Sequence, residues 1–266
     1  MYESYYGLTK TPFSKTIAPS QLFIHPGHDE VVARLTQVVR GKDIGLLTAE
    51  VGCGKSVALR ALSESLDAPR HTIVYFNGLA DLRGFYLQLI STLGGCPEYL
   101  RANLVRQAKE LIAAQISERR KNLVIMVDEA HLLSTQLLEE LRLLTNEAMD
   151  STSQFALILS GQPMLRQKLN LTQLMALSQR VSIRCRLKGL ALEETAGYIR
   201  HYLSLCGRSD PLFSDDAIAL IHSSSAGIPR RINNLAVQSL TAGFLEQKGI
   251  IDESSAKRAV AEMEAN

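Results

Sequence analysis

Long apolar runs are missing from this chain of 266 residues. None approaches the roughly 20 residues a membrane-spanning helix needs, and a run such as Leu123–Val127 is far too short, so no membrane partner is expected. A secretory layout is missing too: the first residues, with Tyr2, Glu3, Tyr5 and Tyr6, lack the basic-then-apolar order of a leader peptide. Cysteine is scarce. Cys53, Cys96, Cys185 and Cys206 have no CxxC or metal-ligand spacing, which excludes a disulfide scaffold and points to a reduced, cytoplasmic compartment. Internal repeats and low-complexity tracts are absent. A dominant charge is absent as well, since the net is only +2, but the balance is uneven. Residues 1–189 hold 22 Lys and Arg against 17 Asp and Glu, whereas residues 190–266 hold 7 against 10. A mildly basic body with an acidic C-terminal piece fits a nucleic-acid partner on the body, although solvated charge alone gives the same asymmetry. Apolar residues at 46% suffice for a sizeable core.

What is present is a phosphate-binding loop with one letter changed. The pattern is Gly, four free positions, then Gly-Lys-Ser/Thr. Here Ala49-Glu50-Val51-Gly52-Cys53-Gly54-Lys55-Ser56 carries alanine at the first glycine. Gly52 and Gly54 let the backbone curl so that successive N–H groups face one concavity, an anion site. Residues Glu50 through Val57 would line the phosphates, Lys55 would bring a cation to the outer ones, and the Ser56 hydroxyl can ligate magnesium. The flanks agree. Ile44–Thr48 reads as a short buried strand and Val57–Leu62 opens a helix, which puts phosphate at the positive end of a helix dipole.

Apolar periodicity predicts the remaining elements. Helical spacing covers Asp29–Val39, Leu82–Leu93, Leu100–Ser117 and Thr135–Met149. Strands are predicted over Thr72–Phe76, Leu123–Val127, Phe155–Ser160 and Val181–Leu187. In the last of these, Val181, Ile183, Cys185 and Leu187 share one face, and Ser182, Arg184, Arg186 and Lys188 lie on the other. Alternating strands and helices imply a mostly parallel sheet flanked by helices. Beyond Ala191 the strand signals stop, and Glu193–Cys206, Ser214–Ser225, Arg231–Glu246 and Ser254–Ala265 read as helices. The opening Tyr5–Phe13 segment has no period and is expected to be an extended arm packed on a neighbouring surface.

The strand Val124–Val127 runs into Asp128-Glu129, so two carboxylates emerge at a strand C-terminus, where a parallel sheet places its ligands. Asp128 can hold a magnesium shell and Glu129 can orient or deprotonate a water. An acidic helix cap is the plainer reading of such a pair taken alone. About 70 residues beyond a phosphate loop, the nucleotide reading is preferred.

These two motifs, the helical C-terminal piece and Gly227-Ile228-Pro229-Arg230 together resemble an AAA+ ATPase. Tyr6-Gly7-Leu8-Thr9 with Pro12-Phe13, Val51-Gly52-Cys53-Gly54-Lys55, Asp128-Glu129-Ala130-His131, Leu141–Asn146 and Ser160-Gly161-Gln162-Pro163 resemble its ExeA/GspA branch, over almost the whole chain. The resemblance implies an α/β fold with an arm at 1–30, a P-loop AAA+ core at 31–189 and a small all-helical lid at 190–266. ATP and Mg2+ are the implied cofactors, with hydrolysis the implied activity. It makes Ser160 or Gln162 sensor 1, Arg230 the sensor 2 arginine, and Arg180 a finger reaching a neighbouring subunit's nucleotide. For Arg180 a surface arginine capping a strand stays open. Asp128-Glu129-Ala130-His131 also spells a helicase box, but no other helicase motif accompanies it. His25 and His28 are read as loop histidines, because no further ligand cluster lies near them.

The resemblance supports two roles. Proteins similar to TnsC, TniB and IstB assemble on duplex DNA in rings or filaments and assist a transposase. ExeA itself serves secretion and carries a membrane segment and a wall-binding region after its ATPase domain. Here residue 266 follows directly on the lid, which favours the DNA role, with duplex DNA, a transposase and further copies of the chain as expected partners. A nucleotide-gated scaffold with barely any hydrolysis is a third option. Candidate DNA contacts lie between the two ATP motifs: Arg83, Arg101, Arg106, Lys109 and the Arg119-Arg120-Lys121 cluster. For each singly, a solvated helix face is the simpler reading.

Overall fold

The computed structural model describes residues 2–14, 21–78, 81–147 and 152–264. In chain order the elements are α1 (Tyr2–Tyr5), α2 (Pro26–Gly41), β1 (Ile44–Ala49), α3 (Lys55–Ser65), β2 (His71–Asn77), α4 (Leu82–Thr92), α5 (Arg101–Ser117) and β3 (Asn122–Asp128). After a 3-10 turn at Ala130–Leu132 come α6 (Thr135–Thr145), the two-residue strands β4 (Asn146–Glu147) and β5 (Thr152–Ser153), β6 (Ala156–Gly161), α7 (Met164–Leu169), α8 (Met175–Arg180) and β7 (Val181–Leu187). Helices α9 (Leu192–Ser204), α10 (Asp215–Ser225), α11 (Pro229–Leu245) and α12 (Glu253–Glu264) complete the chain. Contacts divide it into two units, one of residues 27–51 and 55–187, the other of residues 1–26, 52–54 and 188–266.

The first unit is built on a five-stranded parallel sheet in the order β2-β3-β6-β1-β7. Its central strands are covered on both faces and so read as unbroken apolar runs; every residue of β1 and β6 is buried, as is β3 after Asn122. Among the described residues strand β7 pairs only with β1, and it alternates, with Ser182, Arg184 and Arg186 outward and the exposed Lys188 just beyond it. Charge on an edge strand blocks pairing with another chain. Leu46, Phe76, Phe85, Leu89, Ile125 and Leu157 belong to the large core of this unit. Register aligns Asn77 of β2 with Asp128 of β3 and Thr48 of β1 with Gly161 of β6, so these strand ends share one edge.

Two predictions change here. The helix expected over Thr135–Met149 ends at Thr145, because Asn146 takes an extended backbone and starts the β4/β5 antiparallel pair; Met149 lies outside the described residues. The six-residue helices α7 and α8 had not been predicted, since fewer than two turns carry too little periodicity to detect.

The second unit holds α9–α12, and the N-terminal segment is part of its core. Tyr6, Leu8 and Phe13 are buried with Tyr198, Tyr202, Ile221, Ile232 and Leu240. Thr9 donates to the Cys206 carbonyl from both N (2.9 Å) and Oγ1 (3.0 Å), and Arg208 Nη1 donates to the Tyr6 carbonyl at 2.6 Å. Where an extended arm was expected, residues 2–5 form a helical turn that sets Tyr5 edge-on to Phe244, with ring centres 5.4 Å apart. Gly189 and Gly227 meet closely: a Cβ on Gly227 would lie 2.1 Å from the Leu190 carbonyl oxygen, and Leu190 N donates to the Gly227 carbonyl at 2.8 Å. Only glycine tolerates that approach together with the positive φ of 69°.

Candidate nucleotide-binding site

The loop after β1 explains the odd letter at its start. Ala49 is the last residue of the strand, buried, and is not among the positive-φ residues, so the backbone there needs no glycine. Left-handed backbone falls at Gly52 (φ 88°) and Gly54 (φ 96°) instead. Glu50 and Val51 are exposed, Cys53 is buried and Val57 is half-buried. Lys55 opens α3 and is buried, 6% exposed, with Nζ donating to the Ala49 carbonyl at 3.3 Å. Arg230, exposed in the first turn of α11, donates its backbone N–H to the Gly52 carbonyl at 3.4 Å. A Cβ on Gly52 would come within 2.6 Å of the Arg230 Cβ.

Asp128 receives four hydrogen bonds. Its Oδ2 accepts from the Ser56 hydroxyl at 2.7 Å and the Tyr75 hydroxyl at 3.1 Å. Its Oδ1 accepts from the Ser160 hydroxyl and the Glu129 backbone N–H, each at 2.9 Å. Two carboxylate oxygens have about four acceptor positions, so this 3% exposed carboxylate is fully satisfied. The Tyr75 phenol is pushed up to about 12, chiefly by burial and then by the Asp128 charge beside it, with Arg60 opposing.

Glu129 follows β3 directly and caps the 3-10 turn in a left-handed conformation, φ 52°, which is uncommon for a non-glycine residue. Its Oε1 lies 4.0 Å from Lys55 Nζ and its Oε2 3.5 Å from His131 Nε2. The constellation therefore offers a buried cation, a hydroxyl–carboxylate pair and a half-exposed acid on one sheet edge.

Ser56 and Asp128 fit magnesium. They offer hard oxygen donors already within hydrogen-bond distance of each other, and Mg2+ takes one or two such groups and completes its octahedron with water and phosphate. Among the described residues no group of three or more His, Cys, Asp or Glu could hold a metal.

The other candidates are placed as follows. Ser160 is wholly buried and committed to Asp128, whereas Gln162, just beyond β6, is half-buried. Arg180 ends α8 and donates through Nη1 to Thr145 Oγ1 at 3.4 Å and the Arg142 carbonyl at 3.5 Å, at the C-terminal end of α6. A cation is favoured at that end of a helix dipole. His25 faces Glu194 at 3.6 Å. The seven basic candidates are spread along α5, which is about 25 Å long at 1.5 Å per residue. At its start Arg83 stacks over the exposed Tyr99 ring at 5.4 Å and Arg101 is exposed; Arg106 pairs with Glu98 (3.2 Å) and Glu110 (2.8 Å), and the exposed Lys109 lies at the helix midpoint. Past its end, Arg119 and Arg120 are exposed and Lys121 is half-buried.

Tyr75, His131 and Gly161 were not singled out from sequence as site residues. For Tyr75 the available signal was its position two residues before the end of a strand bordering the Asp128 strand.

A parallel sheet carrying a glycine loop, its lysine and a strand-end Asp-Glu on one edge defines a P-loop nucleotide-binding protein. Residues 38–169 match the family described as AAA domain. Over 256 residues the chain is 32% identical to General secretion pathway protein A of Aeromonas hydrophila; the match covers 92% of this chain and 45% of that protein, so the chain spans less than half the length of this relative. The fold is similar to that of Cdc6p from Pyrobaculum aerophilum (TM-score 0.69, 17% identity, 94% of this chain and 68% of that one). It is also similar to the Aeropyrum pernix ORC2 protein, solved as ADPNP–ADP complexes (TM-score 0.68, 16% identity, 94% and 71%). No helix among the described residues is long and apolar enough to cross a membrane.

Proposed function

We propose that this chain binds ATP with Mg2+ and hydrolyses it, and that the nucleotide works a switch between subunits. The observation that carries the reading is the convergence of Lys55, Ser56, Asp128 and Glu129 on one sheet edge. In this reading the loop N–H groups from Glu50 to Val57 cradle the phosphates, and Lys55 leaves its Ala49 and Glu129 partners for the outer phosphate oxygens. Ser56 and Asp128 hold magnesium, which when bound neutralises charge on the transferring phosphoryl oxygens. Glu129 orients the attacking water and accepts its proton. Gln162 takes the sensor 1 role, since the Ser160 hydroxyl is already engaged. Arg230 serves as sensor 2 and Arg180 as the finger on a neighbouring subunit's nucleotide. Its guanidinium can contact two phosphate oxygens together.

For the client, we propose assembly of copies of this chain on duplex DNA in support of a transposase. The exposed Arg119-Arg120 turn and the Arg83, Tyr99, Arg101 and Lys109 group support it as sequence-independent phosphate contacts. A role in secretion or envelope assembly is favoured instead by the likeness to General secretion pathway protein A. One experiment separates them. Duplex-DNA retention is measured with and without ATP at two salt concentrations, alongside phosphate release. ATP-dependent binding that weakens steeply with salt supports the DNA role; turnover without any DNA binding supports the secretion role; no turnover defeats the ATPase.

A further inference from the structure

The imidazole of His131 is buried, 7% exposed for the residue as a whole, and lies between two parts of the site. On one side its Nδ1 accepts the backbone N–H of Gln162 at 3.4 Å. That amide can only donate, so Nδ1 presents its lone pair and the proton of the neutral ring sits on Nε2. Nε2 lies 3.5 Å from Glu129 Oε2. The ring thus donates toward the carboxylate proposed to handle the attacking water.

Two further features hold the ring there. Gly161, the last residue of β6, leaves the room it needs: a Cβ at that position would sit 3.2 Å from both the N and the Nδ1 of His131. Lys168 Nζ, from α7, donates to the carbonyls of His131 (3.1 Å) and Leu133, fixing the 3-10 turn from behind. The buried imidazole thus has a carboxylate beside one nitrogen and a backbone donor at the other, with a glycine against its ring.

We infer that His131 is a positioning residue: it holds the Glu129 carboxylate and ties it to the end of β6, so that movement of the segment carrying Gln162 is felt at Glu129. The inference rests on the reading of Glu129 as the water-orienting acid. Lys55 contacts the other carboxylate oxygen at 4.0 Å. When Lys55 turns to the phosphates, His131 becomes the side chain that keeps the carboxylate aimed. A displacement of Gln162 would draw the ring away and silence the acid without disturbing the phosphate loop.

The test uses the full chain and compares ATP turnover with the affinity for a fluorescent ATP analogue. His131→Ala is expected to lower kcat by about tenfold or more, the usual range for groups that orient a site residue from behind, while nucleotide Kd stays within about twofold. The conservative variants separate the two contacts. The amide nitrogen of His131→Gln reaches the place of Nε2 and is expected to recover much of the lost kcat. The amide oxygen of His131→Asn reaches only the place of Nδ1 and is expected to recover little. Gly161→Ala, which pushes on the ring, is expected to reproduce the kcat loss with Kd unchanged. Unaltered kcat in His131→Ala overturns the inference, as does equal activity of the Gln and Asn variants or a loss that appears only in Kd. Should His131→Ala fail to fold, the comparison of Gln with Asn decides alone. Wild-type protein without turnover defeats the reading of the site; wild-type turnover that survives His131→Ala defeats the inference only.

Discussion

The Tyr75 hydroxyl donates to Asp128 Oδ2 at 3.1 Å, the same oxygen that accepts the Ser56 hydroxyl. In the proposed reading, in which the Ser56 hydroxyl oxygen would turn to magnesium, Tyr75 would keep the carboxylate oriented. Tyr75→Phe is therefore expected to leave metal-free nucleotide affinity unchanged and to raise the Mg2+ concentration for half-maximal tight binding several-fold, toward the tenfold typical of such supporting groups. Titrating Mg2+ at fixed fluorescent nucleotide measures both. Identical magnesium curves would remove the role.

The changed letter in the phosphate loop makes a contrast. Ala49 sits in strand backbone, so Ala49→Gly is expected to alter ATP affinity and release rate by less than about twofold, apart from the small entropic cost of glycine in a strand. Gly52→Ala is expected to abolish nucleotide binding, since φ 88° and a Cβ contact at 2.6 Å both oppose it. Stopped-flow binding and release of a labelled nucleotide compares the two. Faster release in Ala49→Gly would mean that the alanine stiffens the loop.

Subunit exchange tests Arg180. Lys55→Ala and Arg180→Ala are each expected to lose turnover, the first by failing to bind nucleotide. Mixed in equal amounts, they are expected to regain roughly a quarter of wild-type turnover, because one interface in four pairs an intact Lys55 with an intact Arg180 across a head-to-tail contact. A mixture as inactive as its parts would place Arg180 in its own subunit, as the cap of α6 to which it already donates.

Alkaline unfolding is expected to report on Tyr6. Its hydroxyl is buried and, among the described residues, lacks a hydrogen-bond partner. Burial, followed by the neighbouring Tyr5, pushes the phenol up to about 12, with Arg208 and Lys248 opposing. In the unfolded chain it ionises near 10. The folded state therefore favours the protonated phenol, and this contribution is complete below about pH 10 and lost as pH rises toward 12. Tyr6→Phe is expected to remove that loss and, at pH 7, to leave stability unchanged or raise it by about 1 kcal/mol, because an unsatisfied buried hydroxyl disappears. Urea unfolding from pH 7 to 11 measures it. Marked destabilisation by Tyr6→Phe at pH 7 would reveal a partner for the hydroxyl.

The parts of the site that sit close in sequence were legible there. Gly52, Gly54, Lys55 and Ser56 follow one strand, Asp128 ends another with Glu129 just beyond it, and both strands are short unbroken apolar runs. The strand Val181–Leu187 has the boundaries its alternation gave. What was hidden depends on register. Tyr75 reaches Asp128 only because β2 lies beside β3, and His131 meets Gln162 only because β6 lies on the other side of β3. The letters of His131 suggested a helicase box, and its surroundings came into view only with Gly161 opposite the ring. Sensor 1 was left between Ser160 and Gln162, and only register shows that the Ser160 hydroxyl is bonded to Asp128. Likewise, no spacing could announce that the opening aromatic residues belong among helices about 200 positions later.

That distance has a consequence for how the protein is made. The hydrogen bonds from Thr9 to Cys206 span 197 positions, and the one from Arg208 to Tyr6 spans 202. At roughly 5–20 residues per second, Tyr6, Leu8 and Phe13 leave the ribosome about 10–40 s ahead of the tyrosines that will bury them. The sheet between has all its strands by then and can fold first. The helical unit is the last to close, by a contact between chain segments of very high separation, which is slow to form. A nascent chain with residues up to about 190 outside the ribosome would thus have every strand of the sheet free to pair and an unclaimed aromatic segment, the moment at which a chaperone has most to hold.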